Sequence, residues 1–117
     1  MKILKGIGID IEEIDRFRRH NPRTDKRFYS LLFTTKEIRY CMGRSDPYPH
    51  FAVRFAAKEA VIKAVRMSAF DMKKIEITND RRGKPLAILV LPSGPATFMI
   101  SLSHTKDVAA AVAIWLH

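Results

Sequence analysis

Phe51-Ala52-Val53-Arg54-Phe55-Ala56-Ala57-Lys58-Glu59-Ala60-Val61-Ile62-Lys63-Ala64-Val65 is the stretch whose reading decides the fold. Phe51, Phe55 and Ile62 recur at helical spacing, and alanines, the strongest helix formers, fill the positions between them. The pattern predicts one long helix over about 51–65. Glu59 lies on the face of Phe55 and Ile62, four residues after the first and three before the second. A carboxylate on an otherwise apolar face needs a cation to stay ionised. Lys63, one turn further on, is one such cation; a metal ion is another.

On the N-terminal side the period changes. Ile7, Ile9 and Ile11 alternate with Gly6, Gly8 and Asp10, which predicts a short strand with one apolar face and one nearly bare face carrying Asp10. From Ile11 the pattern turns helical through Ile14 and Phe17, with Asp10 and Glu13 at capping-box spacing and Asn21-Pro22 as the stop. A further helix is expected over 35–42, capped by Thr34 or Thr35. Gly43 to Pro49 reads as a loop. Downstream, strands are expected over 75–78 and 86–91 around the turn Asn79 to Pro85, followed by a turn at Pro92 to Pro95. A last pair, 98–103 and 108–115, is joined by His104-Thr105-Lys106-Asp107.

At 117 residues the chain fits a single domain, 1–117, able to bury a stable core without disulfides. A hydrophobic fraction of 47% and a charged fraction of 28% exclude disordered and fibrous classes. The 21 Lys and Arg against 12 Asp and Glu leave a net charge of +9, which attracts an acidic macromolecule, a polyphosphate or a nucleic acid. That charge is concentrated between Arg16 and Arg27, where Arg18, Arg19, Arg23 and Lys26 face one acid, Asp25. The single cysteine, Cys41, excludes an internal disulfide and a multi-cysteine metal site, and suits a reducing compartment. The longest apolar run, Val108 to Leu116, is far short of the roughly 20 residues of a membrane span. Asp10 follows Lys2 and Lys5 too soon for a secretory signal, so a cytoplasmic location is expected.

Three segments resemble the signature of the holo-acyl-carrier-protein synthases, the single-domain type of 4'-phosphopantetheinyl transferase. They are Gly6-Ile7-Gly8-Ile9-Asp10 with Glu13 and Arg16, Arg54-Phe55-Ala56-Ala57-Lys58-Glu59-Ala60 with Lys63-Ala64, and Ser101-Leu102-Ser103-His104, in matching order and separation. Gly83-Lys84-Pro85 between two strands is a fourth point of likeness, and Phe33-Thr34 ahead of Glu37 a fifth. The resemblance implies an α+β fold, a long helix wrapped by an antiparallel β-sheet, assembled as a homotrimer with active sites between neighbouring subunits. It implies magnesium-dependent transfer of 4'-phosphopantetheine from coenzyme A to a serine of an acidic apo acyl carrier protein, with release of adenosine 3',5'-bisphosphate. The nucleophile then belongs to the carrier, in keeping with a chain that shows no Ser-His-Asp or Cys-His arrangement.

Such a transfer builds negative charge on pyrophosphate oxygens, and a magnesium ion held by one or two carboxylates and the substrate's phosphates is the usual answer to it. The resemblance assigns the metal to Asp10 and Glu59 and the catalytic roles to Asp10, Glu59 and Lys63; the glycines beside Asp10 would let a phosphate approach the backbone. Read alone, Asp10 suits a helix cap, and Glu59 suits an i,i+4 pair with Lys63. The base is either Glu59 or a metal-held water.

Coenzyme A is implied at Arg54, Lys58, Lys63, Ser103, His104 and Thr105. Gly83, Lys84 and Pro85 would line its adenine side from a neighbouring subunit. Without the resemblance, Arg54 and Lys58 read as solvated surface charges. Carrier docking is implied at Arg16, Arg19 and Arg23, read as sharing one side of the first helix. After Lys63-Ala64 the chain departs from the family, with Val65-Arg66-Met67-Ser68-Ala69-Phe70 replacing a glycine-containing turn. A basic nucleic-acid-binding module without catalytic activity is the alternative. It leaves Asp10 and Glu59 without a purpose, and it needs exposed aromatics among the charges, whereas Phe17 and Phe55 fall at core-like spacing.

Overall fold

The computed structural model describes residues 3–68 and 71–117. The elements run β1 (Leu4–Glu13), α1 (Asp15–Arg18), α2 (Lys26–Leu32), α3 (Thr35–Met42) and α4 (Pro47–Val65), then a 3-10 turn at Met72–Lys74. The remainder is β: β2 (Glu76–Asn79), β3 (Pro85–Ile88), β4 (Val90–Leu91), β5 (Gly94–Pro95), β6 (Thr97–His104) and β7 (Val108–Leu116). β1, β7 and β6 form one antiparallel sheet in that order, with Asp10 opposite Ala111 and His104 opposite Ala109. β2 and β3 form a hairpin in which Asn79 faces Pro85. The architecture is the expected α+β one, a long helix against an antiparallel sheet.

α4 begins earlier than its apolar pattern indicates. The Asp46 side chain accepts from the Tyr48 N–H, and Pro47 and Pro49 occupy the first turn, where a helix has no use for their missing N–H groups. Residues expected as a loop therefore form its first turn. At its other end Arg66 takes a left-handed conformation (φ 61°, ψ 43°), a cap usually given to glycine. This is how the chain ends the helix without the family's glycine; Ala69 and Phe70 lie outside the described residues.

The helix is buried along nearly its whole length. Its first half packs with Ile14, Phe17, Tyr29 and Phe33, and its second half with Ile75, Ile77, Ala111 and Ala113. A fully buried aromatic such as Phe51 or Phe17 contributes about 1.5–3 kcal/mol relative to exposure.

β1 lies against α4 by its bare face. A Cβ on Gly6 would strike the Ala64 carbonyl oxygen, and one on Gly8 the Ala60 carbonyl oxygen. The glycine space is therefore filled by the helix backbone, not left for a phosphate. Ile7, Ile9 and Ile11 point the other way and are 61%, 63% and 65% exposed.

The strand also runs on to Glu13, because pairing with β7 continues to Glu13 opposite Val108. Asp10 and Glu13 accordingly form no capping box, and α1 starts from Ile14 with no side-chain cap. α1 ends at Arg18, so Arg19 is its C-cap and Arg23 belongs to no helix. α2 was not legible in the charge-rich stretch. It is tied down by the Tyr29 hydroxyl, which donates toward the Phe17 and His20 carbonyls at 2.9 and 2.7 Å. α3 has the expected boundaries and a complete Thr34/Glu37 capping box.

Candidate active site

α4 carries Arg54, Lys58, Glu59 and Lys63, and its pitch separates them. At 3.6 residues per turn, Arg54 and Glu59 point about 140° apart. The candidate residues consequently gather in two places.

The first lies between β1 and α4. Asp10 and Glu12, two apart on one strand, project to the same side. Asp10 Oδ1 accepts from Lys63 Nζ at 3.2 Å, and the same ammonium donates to the Ile9 carbonyl at 2.9 Å. Asp10 Oδ2 is buried and has no hydrogen-bond partner among the described residues. Glu12 accepts from Arg16 Nη1 at 3.2 Å. Burial first, and then Asp10, push the Glu12 carboxyl up to about 7, while Arg16 opposes them. Burial and the Asp10 charge also raise Glu59, against Lys63 and Arg16.

This cluster therefore holds more negative charge than its protein cations satisfy, which fits a hard divalent cation. No group of three or more His, Cys, Asp or Glu side chains is set for a metal among the described residues. A cation here would take one or two carboxylates and leave positions for water and phosphate, the habit of magnesium. A hollow of about 290 Å³ opens beside Asp10 and Lys63, between Ile9 and Ile11. Glu12 is a member that sequence reasoning missed; its signal is the i,i+2 spacing from Asp10 on a strand.

The second place is a cleft of about 300 Å³ walled by Tyr40, His50, Arg54, Asn79, the Gly83 and Pro85 hairpin, and His104. Arg54 is not a solvated charge, being 3% exposed. Its guanidinium carbon lies 4.0 Å from the Tyr40 ring centroid, and Nη2 donates to Asn79 Oδ1 at 2.9 Å. Arg54 Nε is buried with no partner among the described residues.

Arg44 donates to the Tyr40 hydroxyl at 2.5 Å and lowers its pKa against the effect of burial. His50 is held below its usual pKa, by burial first and by Arg44 and Arg54 next, so near neutrality it is an uncharged imidazole. The His50 and His104 rings meet edge to face, 6.3 Å between centroids. Gly83 has φ +85°, which its place in the hairpin turn requires.

Several expected contacts are not brought to either place. Lys58 is fully buried, and its ammonium donates to Glu37 Oε1 at 2.6 Å, the Leu32 carbonyl at 2.9 Å and the Met72 carbonyl at 3.1 Å. All three of its donors are used internally, so it is neither a surface charge nor a cleft residue. Burial lowers its pKa while Glu37 acts the other way. Ser103 lines a hollow with Ile9, Ala110 and Val112 on the outer face of the sheet. Thr105 shapes the β6–β7 turn, its hydroxyl accepting from the Asp107 and Val108 N–H groups. The Lys84 side chain is exposed, and its backbone N–H is held by Asp80.

Arg16, Arg19 and Arg23 are all exposed, with the Arg16 guanidinium 4.9 Å from the Phe55 ring centroid. The acid cluster sits at the β1 edge of the sheet and His104 at the β6 edge.

A sequence profile described as the 4'-phosphopantetheinyl transferase superfamily matches residues 6–113. The holo-[acyl-carrier-protein] synthase of Thermodesulfovibrio yellowstonii is 34% identical over 96% of this chain and 98% of its own. That of Chlamydia trachomatis serovar L2 is 40% identical over 93% of this chain and 97% of its own. Among solved structures, the Bacillus anthracis holo-(acyl-carrier-protein) synthase in complex with CoA (3',5'-ADP) superposes with a TM-score of 0.82 at 32% identity, covering 97% of this chain and 96% of that one. The Neisseria meningitidis enzyme gives 0.83 at 28% identity, covering 97% and 98%. With its α+β architecture, its acid cluster and its arginine cleft, the chain belongs to the holo-[acyl-carrier-protein] synthases of the 4'-phosphopantetheinyl transferase superfamily.

Proposed function

We propose that this protein transfers the 4'-phosphopantetheine group of coenzyme A to a serine of an apo acyl carrier protein in a magnesium-dependent reaction. The observation that carries the reading is the buried Asp10 Oδ2, without a hydrogen-bond partner among the described residues, in a carboxylate cluster beside a half-exposed lysine. Asp10 and Glu59 would hold a magnesium ion, which would supply the positive charge that neutralises the pyrophosphate. Lys63, released from Asp10, reaches a phosphate oxygen as a point charge. Arg54 takes a second phosphate of the coenzyme, His104 donates near the phosphates, and Gly83 and Pro85 line the adenine side. The carrier's serine oxygen bonds to the phosphorus that bears pantetheine, and the bond to the departing adenosine 3',5'-bisphosphate breaks. The serine proton goes either to Glu59, whose pKa burial and Asp10 raise, or to a water held at the cation site.

The two half-sites lie at opposite edges of one sheet, which supports completion of each by a neighbouring copy in a homotrimer. The exposed isoleucine face of β1 is the apolar surface that such assembly would cover. Arg16, Arg19 and Arg23 would steer the acidic carrier, mainly raising its association rate. A single domain in the reducing cytoplasm suits the lone buried Cys41.

The test is intact-mass analysis of an apo carrier after incubation with the protein, coenzyme A and magnesium, beside EDTA and Asp10→Ala controls. A gain of one phosphopantetheine that both controls abolish is expected. No gain with several apo carriers and a folded protein would overturn the reading, and salt-sensitive binding to random DNA would then favour the nucleic-acid module.

A further inference from the structure

Asn79 reads in the sequence only as the first residue of a turn, yet in the structure its carboxamide touches both walls of the arginine cleft. Oδ1 accepts from Arg54 Nη2 at 2.9 Å, and Nδ2 donates to the Gly83 carbonyl at 3.0 Å. Arg54 needs such a holder. Its guanidinium is supported from below by the Tyr40 ring, and the Asn79 contact is its one side-chain hydrogen bond among the described residues. A long side chain left free to rotate loses entropy when a ligand fixes it, and one already held loses less. The acceptor is also neutral. A carboxylate in its place would orient the guanidinium equally well but cancel the charge offered to an anion.

The height of Asn79 over α4 is itself set from below. The Ile77 N–H, two residues earlier on β2, donates to Glu37 Oε2 at 2.8 Å, and Glu37 Oε1 accepts from Lys58 at 2.6 Å. Lys58 is one helical turn from Arg54. Helix and hairpin are therefore joined at two successive levels, by a buried ion pair at one and by Asn79 at the other.

We infer that Asn79 is the positioning residue of Arg54: anchored by its bond to the Gly83 carbonyl, it presents the guanidinium to a phosphate of the coenzyme. The inference rests on Arg54 as a phosphate contact.

The experiment is calorimetric titration of the full-length protein with adenosine 3',5'-bisphosphate, for Asn79→Ala in the wild-type and in the Arg54→Ala background. Binding weakens about tenfold in the first, the size of a lost hydrogen bond to a charged group. It changes less than about twofold in the second, because the effect acts through Arg54. The KM for coenzyme A rises in step while the KM for the carrier stays put, a split that general loss of structure does not produce. Unchanged binding in the wild-type background, or an equal loss in both backgrounds, overturns the inference. Should Asn79→Ala fail to fold, Asn79→Ser, too short to bridge both partners, is read by the same criteria. A wild-type protein that binds no adenosine 3',5'-bisphosphate overturns the transfer reading, and this inference with it.

Discussion

Lys58 and Glu37 illustrate how far a residue's role can lie from its type. Both are fully buried, and between them they join α2, α3, α4, the 3-10 turn and β2 through Leu32, Thr34, Met72 and Ile77. Such a pair is costly to desolvate but far costlier to halve, because the surviving partner remains buried and uncompensated. Lys58→Met is expected to lose about 3–5 kcal/mol of stability, read from the urea midpoint. Glu37→Gln combined with Lys58→Met, which removes both charges, is expected to recover part of that loss. A single variant as stable as the wild type would show that the pair anchors nothing. The sequence marked Lys58 through a motif and Glu37 through a capping box, but the burial of either depends on partners 21 residues apart in the chain.

The contact between β1 and α4 is the element-scale event on which the acid cluster depends. Gly6 and Gly8 bring the strand so near the helix that Asp10 and Glu12, further along the same face, reach Lys63 and the surroundings of Glu59. Gly8→Ala is expected to cost about 3 kcal/mol, the upper end of overpacking, because the added Cβ meets backbone that cannot swing aside. Gly43→Ala, whose Cβ would meet its nearest atoms at 3.5 Å, is the control and is expected to cost less than about 1 kcal/mol. Equal thermal or urea midpoints for the two variants would refute the close approach. The strand was legible from its period of two, and α4 from its alanines and apolar spacing. Which face of the strand is buried was not, because a bare face seals a core only when another backbone lies against it. α2 escaped because its seven residues, Lys26–Leu32, are too few to display a helical repeat and begin inside the charge-rich stretch.

At the scale of the molecule, the sheet leaves Ile7, Ile9, Ile11 and Met99 exposed on its outer face. An apolar surface of this kind marks an interface. Ile9→Glu is expected to reduce the proposed trimer to monomers in sedimentation velocity and to abolish carrier modification while leaving the fold intact. A variant that still sediments as the wild type would place the interface elsewhere. The +9 charge acts at the same scale: it draws acidic partners over long range and leaves the choice among them to the local site.

The sequence by itself determined the family, the long helix, the strands β1, β2, β6 and β7 and most members of the acid cluster, since these follow from short-range periodicity and from residue types at set spacings; the stretch expected as one strand over 86–91 divides into β3 and β4, which pair with different partners. Only the tertiary structure decided that the glycines admit a helix, that Lys58 is withdrawn into the core, that Glu12 joins Asp10, and that Asn79 holds Arg54. Each of these depends on which backbone or side chain arrives from a distant segment. Local sequence biases the conformation of its own element, whereas burial and hydrogen-bond partnership are settled by the packing of all of them.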